Sequence, residues 1–183
     1  MNLTTLHDIT NQARALGERK LGNGAELIGH APHVAPEAWL HRLFAPIGSA
    51  EIEDIERSLL FPLPADYAEF LKIHNGLSLF LGDVWLGGRR TSYARSGDGM
   101  WQPFSLVSIN QEHGVTAESE EMILGGEERT GATLRLGFDD GKARKYKPRG
   151  RKPMCVWESL EDMLASEASR LATCFDASGR RLS

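Results

Sequence analysis

The sequence predicts an α+β fold: a mainly antiparallel twisted sheet flanked by N-terminal helices and one C-terminal helix. Three observations carry that prediction. Apolar residues keep helical spacing up to Gly76 and then change to short alternating or continuous runs. Residues 133–138 alternate Leu134, Leu136 and Phe138 with Thr133 and Arg135 and are followed by Asp139-Asp140-Gly141, a strong hairpin turn, and a second segment at 142–147. Helical spacing returns after Ser159. Helices, then strands, then a helix is the order of an α+β domain rather than of a parallel α/β one.

Bulk properties set the frame. The chain has 183 residues, enough for a single domain that buries roughly 70% of its unfolded surface. Its apolar and charged contents, 41% and 25%, are those of an ordinary globular protein, and no run approaches the roughly 18 apolar residues of a membrane span. The first ten residues lack a basic stretch followed by an apolar one, so the expected location is the cytoplasm. Cys155 and Cys174 have no metal or redox spacing and read as reduced, partly buried thiols. The net charge of −4 is unevenly spread: residues 142–152 hold seven basic groups and no acid, leaving −11 for the rest. Such asymmetry suits a charged partner.

Taken in order, residues 3–21 predict a helix, with Leu6, Ile9, Ala13 and Leu16 on one stripe and Arg19 and Lys20 in the last turn. The Gly-, His- and Pro-rich stretch to residue 36 reads as a connection. Pro36, Trp39, Leu40, Leu43 and Pro46 predict a short helix at 36–44. Residues 1–48 are therefore expected to form an N-terminal helical extension packed on a main domain at 49–183, the two making one globular unit.

Residues 50–60 predict an amphipathic helix through Ile52, Ile55, Glu56, Leu59 and Leu60, with Ser49 as N-cap. A second helix follows in 63–77. Pro64 suits its first turn, Asp66 sets a carboxylate near its positive end, and Tyr67, Phe70, Leu71 and His74 share a face. Asn75-Gly76 stops it.

The combined pattern, I-x-x-I-E-x-x-L-x-x-x-L-P-x-D-Y-x-x-F-L-x-x-x-N-G, resembles the SUKH superfamily, which includes fungal regulators of cell-wall synthesis and bacterial immunity proteins that neutralise toxins. The residues that carry the resemblance are Glu56, Leu63, Pro64, Asp66, Tyr67, Phe70, Asn75 and Gly76. It implies an α+β fold and binding to a protein partner, with no catalytic residues.

Beyond Gly76, residues 77–81 and 84–86 predict strands joined at Gly82-Asp83. Residues 87–99 predict a long exposed loop, and Phe104, Leu106, Val107 and Ile109 another strand. Residues 122–124 predict a short strand ended by Gly125-Gly126, and 154–157 an edge strand. Ser159 with Asp162 forms a capping-box-like start to the last helix, whose apolar face is Leu160, Met163, Leu164, Leu171, Cys174 and Phe175.

Candidate chemistry is sparse. His30, His33 and His41 include an H-x-x-H spacing that admits zinc, but no fourth ligand is apparent, so they read as surface or capping histidines. His74 reads as a core or boundary histidine. No nucleophile elbow, phosphate loop, dinucleotide or zincin motif occurs, so the sequence predicts no enzyme, no catalytic residues, no metal and no cofactor. Two binding surfaces are plausible on composition. One is the loop with Trp85, Arg89, Arg90, Tyr93 and Trp101, a hot-spot composition. The other is Lys145, Tyr146, Lys147 and Arg149 on the basic hairpin, which reads either as a phosphate contact or as a solvated strand face. The favoured expectation is an immunity protein that occludes a toxin, without membrane or direct nucleic-acid contact. The alternatives are a regulator or scaffold in cell-wall or stress physiology, and a small enzyme.

Overall fold

The computed structural model describes residues 1–182. Nine strands form one open sheet, and each strand pairs antiparallel with the next in sequence: β1 Glu18–Lys20, β2 Glu26–His30, β3 Trp39–Leu43, β4 Leu77–Leu79, β5 Val84–Leu86, β6 Glu121–Gly126, β7 Thr133–Gly137, β8 Ala143–Tyr146 and β9 Pro153–Trp157. Helices α1 Thr4–Gln12, α2 Ser49–Leu59, α3 Ala65–Leu71, α4 Leu106–Glu112 and α5 Leu160–Ala172 are set along this meander. The predicted α+β class and the hairpin at 133–147 hold.

Four elements differ from the sequence reading. The first helix ends at Gln12 and, after a 3₁₀ turn, Glu18–Lys20 pairs with β2. Residues 26–30 form a strand inside what reads as a connection, and the predicted helix at 36–44 is β3, which pairs with β2 on one side and β4 on the other. Ladder hydrogen bonds on both sides outweigh a weak local helical preference. The predicted strand at 104–109 is instead α4, because the Ser105 hydroxyl accepts the Ser108 N–H and caps a helix there. A smaller shift occurs at α2, whose N-cap is Gly48 rather than Ser49, with the Glu51 carboxylate accepting the Gly48 N–H at 2.9 Å.

One core dominates. Tyr67, Phe70 and Leu71 from α3, Ile52 and Ile55 from α2, Leu134 and Leu136 from β7, and Leu160, Met163 and Leu164 from α5 are buried in a single cluster. A smaller cluster of Leu21, Ala25, Leu27 and Phe44 lies under Trp39 and Trp101. Neighbouring Ile28 and Leu27 serve different clusters, as expected of alternating strand residues. Asn110 ties α4 to β6: its amide donates to the Leu106 and Ile123 carbonyls and its oxygen accepts the Ile123 N–H.

One histidine is more buried than the sequence suggests. His41 is 1% exposed, packed edge-on to Phe80 at 4.6 Å, and is not a surface residue. Burial lowers its pKa from 6.5 to about 4. The unfolded chain therefore binds the proton more readily, so stability is complete above pH 6.5 and falls as pH drops towards 4, by up to about 3 kcal/mol. Urea unfolding at pH 7.5 and 5.0 measures this. His41→Gln is expected to flatten the part of the slope that His41 contributes.

Candidate functional site

The signature segment sits beneath a loop. The Tyr67 hydroxyl donates to the Gly87 carbonyl at 2.7 Å, and burial holds its pKa above that of an ordinary tyrosine. Asn75, 9% exposed, makes two bonds to one residue: its Oδ1 accepts the Arg89 N–H at 2.6 Å and its Nδ2 donates to the Arg89 carbonyl at 2.9 Å. Asn75 is thus more than a helix stop. It clamps the first residue of the loop 89–104.

The base of the loop is closed by Gly88, whose N–H donates to Phe104 O at 2.9 Å and whose carbonyl accepts Leu106 N–H at 3.0 Å. Only glycine fits there, since a Cβ would stand 2.4 Å from both the Asn75 carbonyl oxygen and its Oδ1. Within the loop, Gln102 Oε1 accepts both the N–H and the hydroxyl of Thr91, each at 3.2 Å. The tip is held from outside by the β1–β2 turn. Asn23 donates to the Asp98 and Trp101 carbonyls, and the Asp98 carboxylate accepts the Gly22 N–H at 2.7 Å. A long loop fixed at base, middle and tip has little conformational freedom left to lose on binding.

The predicted loop residues fall on this platform with different exposures. Tyr93 is 71% exposed, and the Arg90 guanidinium lies 4.6 Å over its ring. Trp85 is half-buried against Phe104, at 4.3 Å between ring centres, and Phe104 itself is 40% exposed. Trp101 closes the small apolar cluster. Arg89 turns inward to Glu51 and Asp54 of α2, both at 3.4 Å, and with Asn75 and Trp101 lines a cavity of about 190 Å³. A neighbouring cavity of about 490 Å³ contains the His7–His74 pair, with Nε2 atoms 2.9 Å apart. Burial, and then the adjacent His7, lower the pKa of His74 to about 4, so it is neutral near pH 7.

The basic hairpin is mostly not a free surface. Lys145 is buried, paired with Glu127 and Glu167, and Tyr146 is buried with its hydroxyl donating to Glu121 at 2.8 Å. Burial, then the hydrogen bond to Glu121, push the Tyr146 pKa up to about 12. Arg144 pairs with Asp140 and Glu121, and Lys142 with Glu158. Lys147 and Arg149 remain exposed. The structure therefore separates Lys145 and Tyr146 from Lys147 and Arg149, and all four from the loop platform.

Sequence reading missed the residues that hold the platform: Asn23, Asp98 and Gln102, whose polar character fits any loop, and the clamp made by Asn75. Among the described residues no three His, Cys, Asp or Glu side chains are grouped as a metal would need. No described helix is long and apolar enough to cross a membrane.

Comparison with curated proteins gives no match. A family model matches residues 46–166, about two thirds of the chain. The match begins just before α2 and ends within α5, and it leaves out β1–β3 with the turn that holds the loop tip. With its Leu63-Pro64, Asp66-Tyr67 and Asn75-Gly76 steps each explained by the fold around them, the chain belongs to the SMI1/KNR4 family (SUKH-1).

Proposed function

We propose that this protein is a cytoplasmic immunity protein, a non-catalytic module that neutralises a cognate toxin by binding it through the loop 89–104. The observation that carries this reading is the exposed Tyr93, with the half-buried Arg90 guanidinium stacked over its ring, on a loop fixed by the family's own Asn75. Exposed arginine and aromatic side chains supply most of the energy at protein interfaces, and a pre-ordered loop adds little entropic cost. In this reading residues 1–48 join 49–183 in one globular unit, since the β1–β2 turn supports the tip of the loop. Nucleic acid is not invoked as a partner, because Lys142, Arg144 and Lys145 are already paired to carboxylates.

The test is co-expression with a candidate toxin encoded beside the gene, followed by purification of the complex. Growth rescue and a stable complex are expected. Arg90→Ala and Tyr93→Ala are each expected to weaken binding at least about tenfold while leaving the thermal transition within a degree or two. No rescue and no complex would sink the reading. Full affinity in both variants would move the contact elsewhere on the protein.

A further inference from the structure

The two edges of the sheet are unlike. At one end β1 is three charged residues, Glu18-Arg19-Lys20, all exposed, which discourages pairing with another chain. At the other end β9 is Pro153-Met154-Cys155-Val156-Trp157, with its first four residues exposed and no charge among the five. Met154 and Val156 are 50% and 49% exposed, and Cys155 is exposed rather than partly buried as its sequence context suggests. No described strand covers the outer side of β9. Its backbone groups on that side pair with no described strand, and Met154 and Val156 keep about half of their surface in water.

The flanks of β9 are oppositely charged. Arg149, Arg151 and Lys152 precede it, exposed and outside every ion pair among the described residues. Glu158, which also pairs with Lys142 of its own chain, and Glu161 and Asp162 in the first turn of α5 follow it. Basic before and acidic after is the arrangement that complements itself when two identical strands run antiparallel.

We propose that β9 is a self-association edge, pairing antiparallel with β9 of a second copy about a two-fold axis at Cys155. That register sets Met154 against the partner's Val156, Pro153 against the partner's Trp157 and Lys152 against the partner's Glu158. It also carries the Arg149 and Arg151 end of one copy along the Glu161 and Asp162 end of the other. The sheet becomes continuous across the axis, and the charged β1 edges lie at its two far ends. The pairing is closed, because each copy offers only one such edge. A five-residue strand pair is a small interface, so the dimer forms in the micromolar range rather than tightly. The loop 89–104 is not part of it, and the proposal stands apart from the immunity reading.

Sedimentation velocity of the full chain over a concentration series tests this. A monomer–dimer equilibrium is expected. Met154→Asp with Val156→Asp is expected to weaken it at least about tenfold, since four carboxylates would then face one another across the axis. Lys152→Glu and Glu158→Lys are each expected to weaken it about threefold to fivefold, and the double variant to recover most of the loss. In a Cys174→Ser background a short bismaleimide is expected to cross-link copies through Cys155, which directly opposed strands bring within about 5.5 Å at Cα. A monomer at every concentration overturns the proposal. So does a dimer that is indifferent to the charge swaps, or growth into polymers, which would place the contact on another surface.

Discussion

Replacing Lys145 with methionine is expected to cost about 3–5 kcal/mol of stability. The Lys145 ammonium, 6% exposed on β8, contacts Glu127 at the end of β6 and, at 3.2 Å, Glu167 of α5. Arg170 of α5 reaches the same two carboxylates, and the Thr130 hydroxyl donates to Glu127 at 2.5 Å. The group therefore joins the helix to β8 and to the connection between β6 and β7. Without Lys145, two carboxylates that are 7% and 2% exposed are left beside one arginine that is partly in water. Breaking a buried pair costs more than the pair contributed, because desolvation of the remaining charge is no longer offset.

The sign of the pH dependence separates this account from simple loss of packing. In the native protein burial pushes the Glu127 carboxyl up, but Lys145 and Thr130 together bring it below its ordinary 4.5. Its contribution is present above pH 4.5 and is lost as pH falls through the lowered value. In Lys145→Met the Glu127 carboxyl loses that lowering partner, and burial is expected to raise it instead. The variant should then regain stability as pH falls from 7 towards 5, while the parent does not. Urea titrations of both proteins at several pH values measure the two slopes. A further change of Glu127 and Glu167 to leucine should restore much of the loss at pH 7. Equal slopes in parent and variant would show that the network is not held by charge.

The second large effect is expected at the clamp. Asn75→Ala leaves both backbone groups of Arg89 without their partner in a half-buried place, at a cost of about 2–3 kcal/mol. Gly88→Ala attacks the same contact from the other side, because its Cβ would have to displace Asn75, at about 1–3 kcal/mol. The two changes break one contact, so their double variant should lose less than the sum. Amide hydrogen exchange should accelerate across residues 89–104 in each, more than in α3 or β7. Affinity for the proposed partner should fall by more than the stability change alone explains, since the platform would have to order on binding. Asn75→Asp, which keeps the acceptor and loses the donor, should still give a mobile loop, because a carboxylate would then face the Arg89 carbonyl.

Much of the framework is written locally. Ser159 and Asp162 cap α5 as their spacing predicts, with the Ser159 hydroxyl accepting the Asp162 N–H at 3.1 Å. Asp139-Asp140-Gly141 turns β7 into β8, and Pro64 precedes the first residue of α3. These features depend on residues a few positions apart, which a sequence displays directly. The helix expected at 36–44 shows the limit. Trp39, Leu40 and Leu43 fit a helical stripe, yet the same residues fill a strand that is partly buried on both faces between β2 and β4. Periodicity does not distinguish the two in a short apolar run.

The same division applies to the site. From sequence alone come the family pattern, the α+β class, and the expectation that the loop carrying Arg90, Tyr93 and Trp101 binds a partner. Only the tertiary structure turns Asn75 from a helix stop into a clamp 14 residues away, and brings Asn23 of the first hairpin to the loop tip. Only it removes Lys145 and Tyr146 from the surface, because β8 lies between β7 and β9, with Lys145 bonded to Glu167 and Tyr146 to Glu121. Local signals arise from the conformational preferences of neighbouring residues, whereas burial and partnership depend on which distant segments the sheet brings side by side.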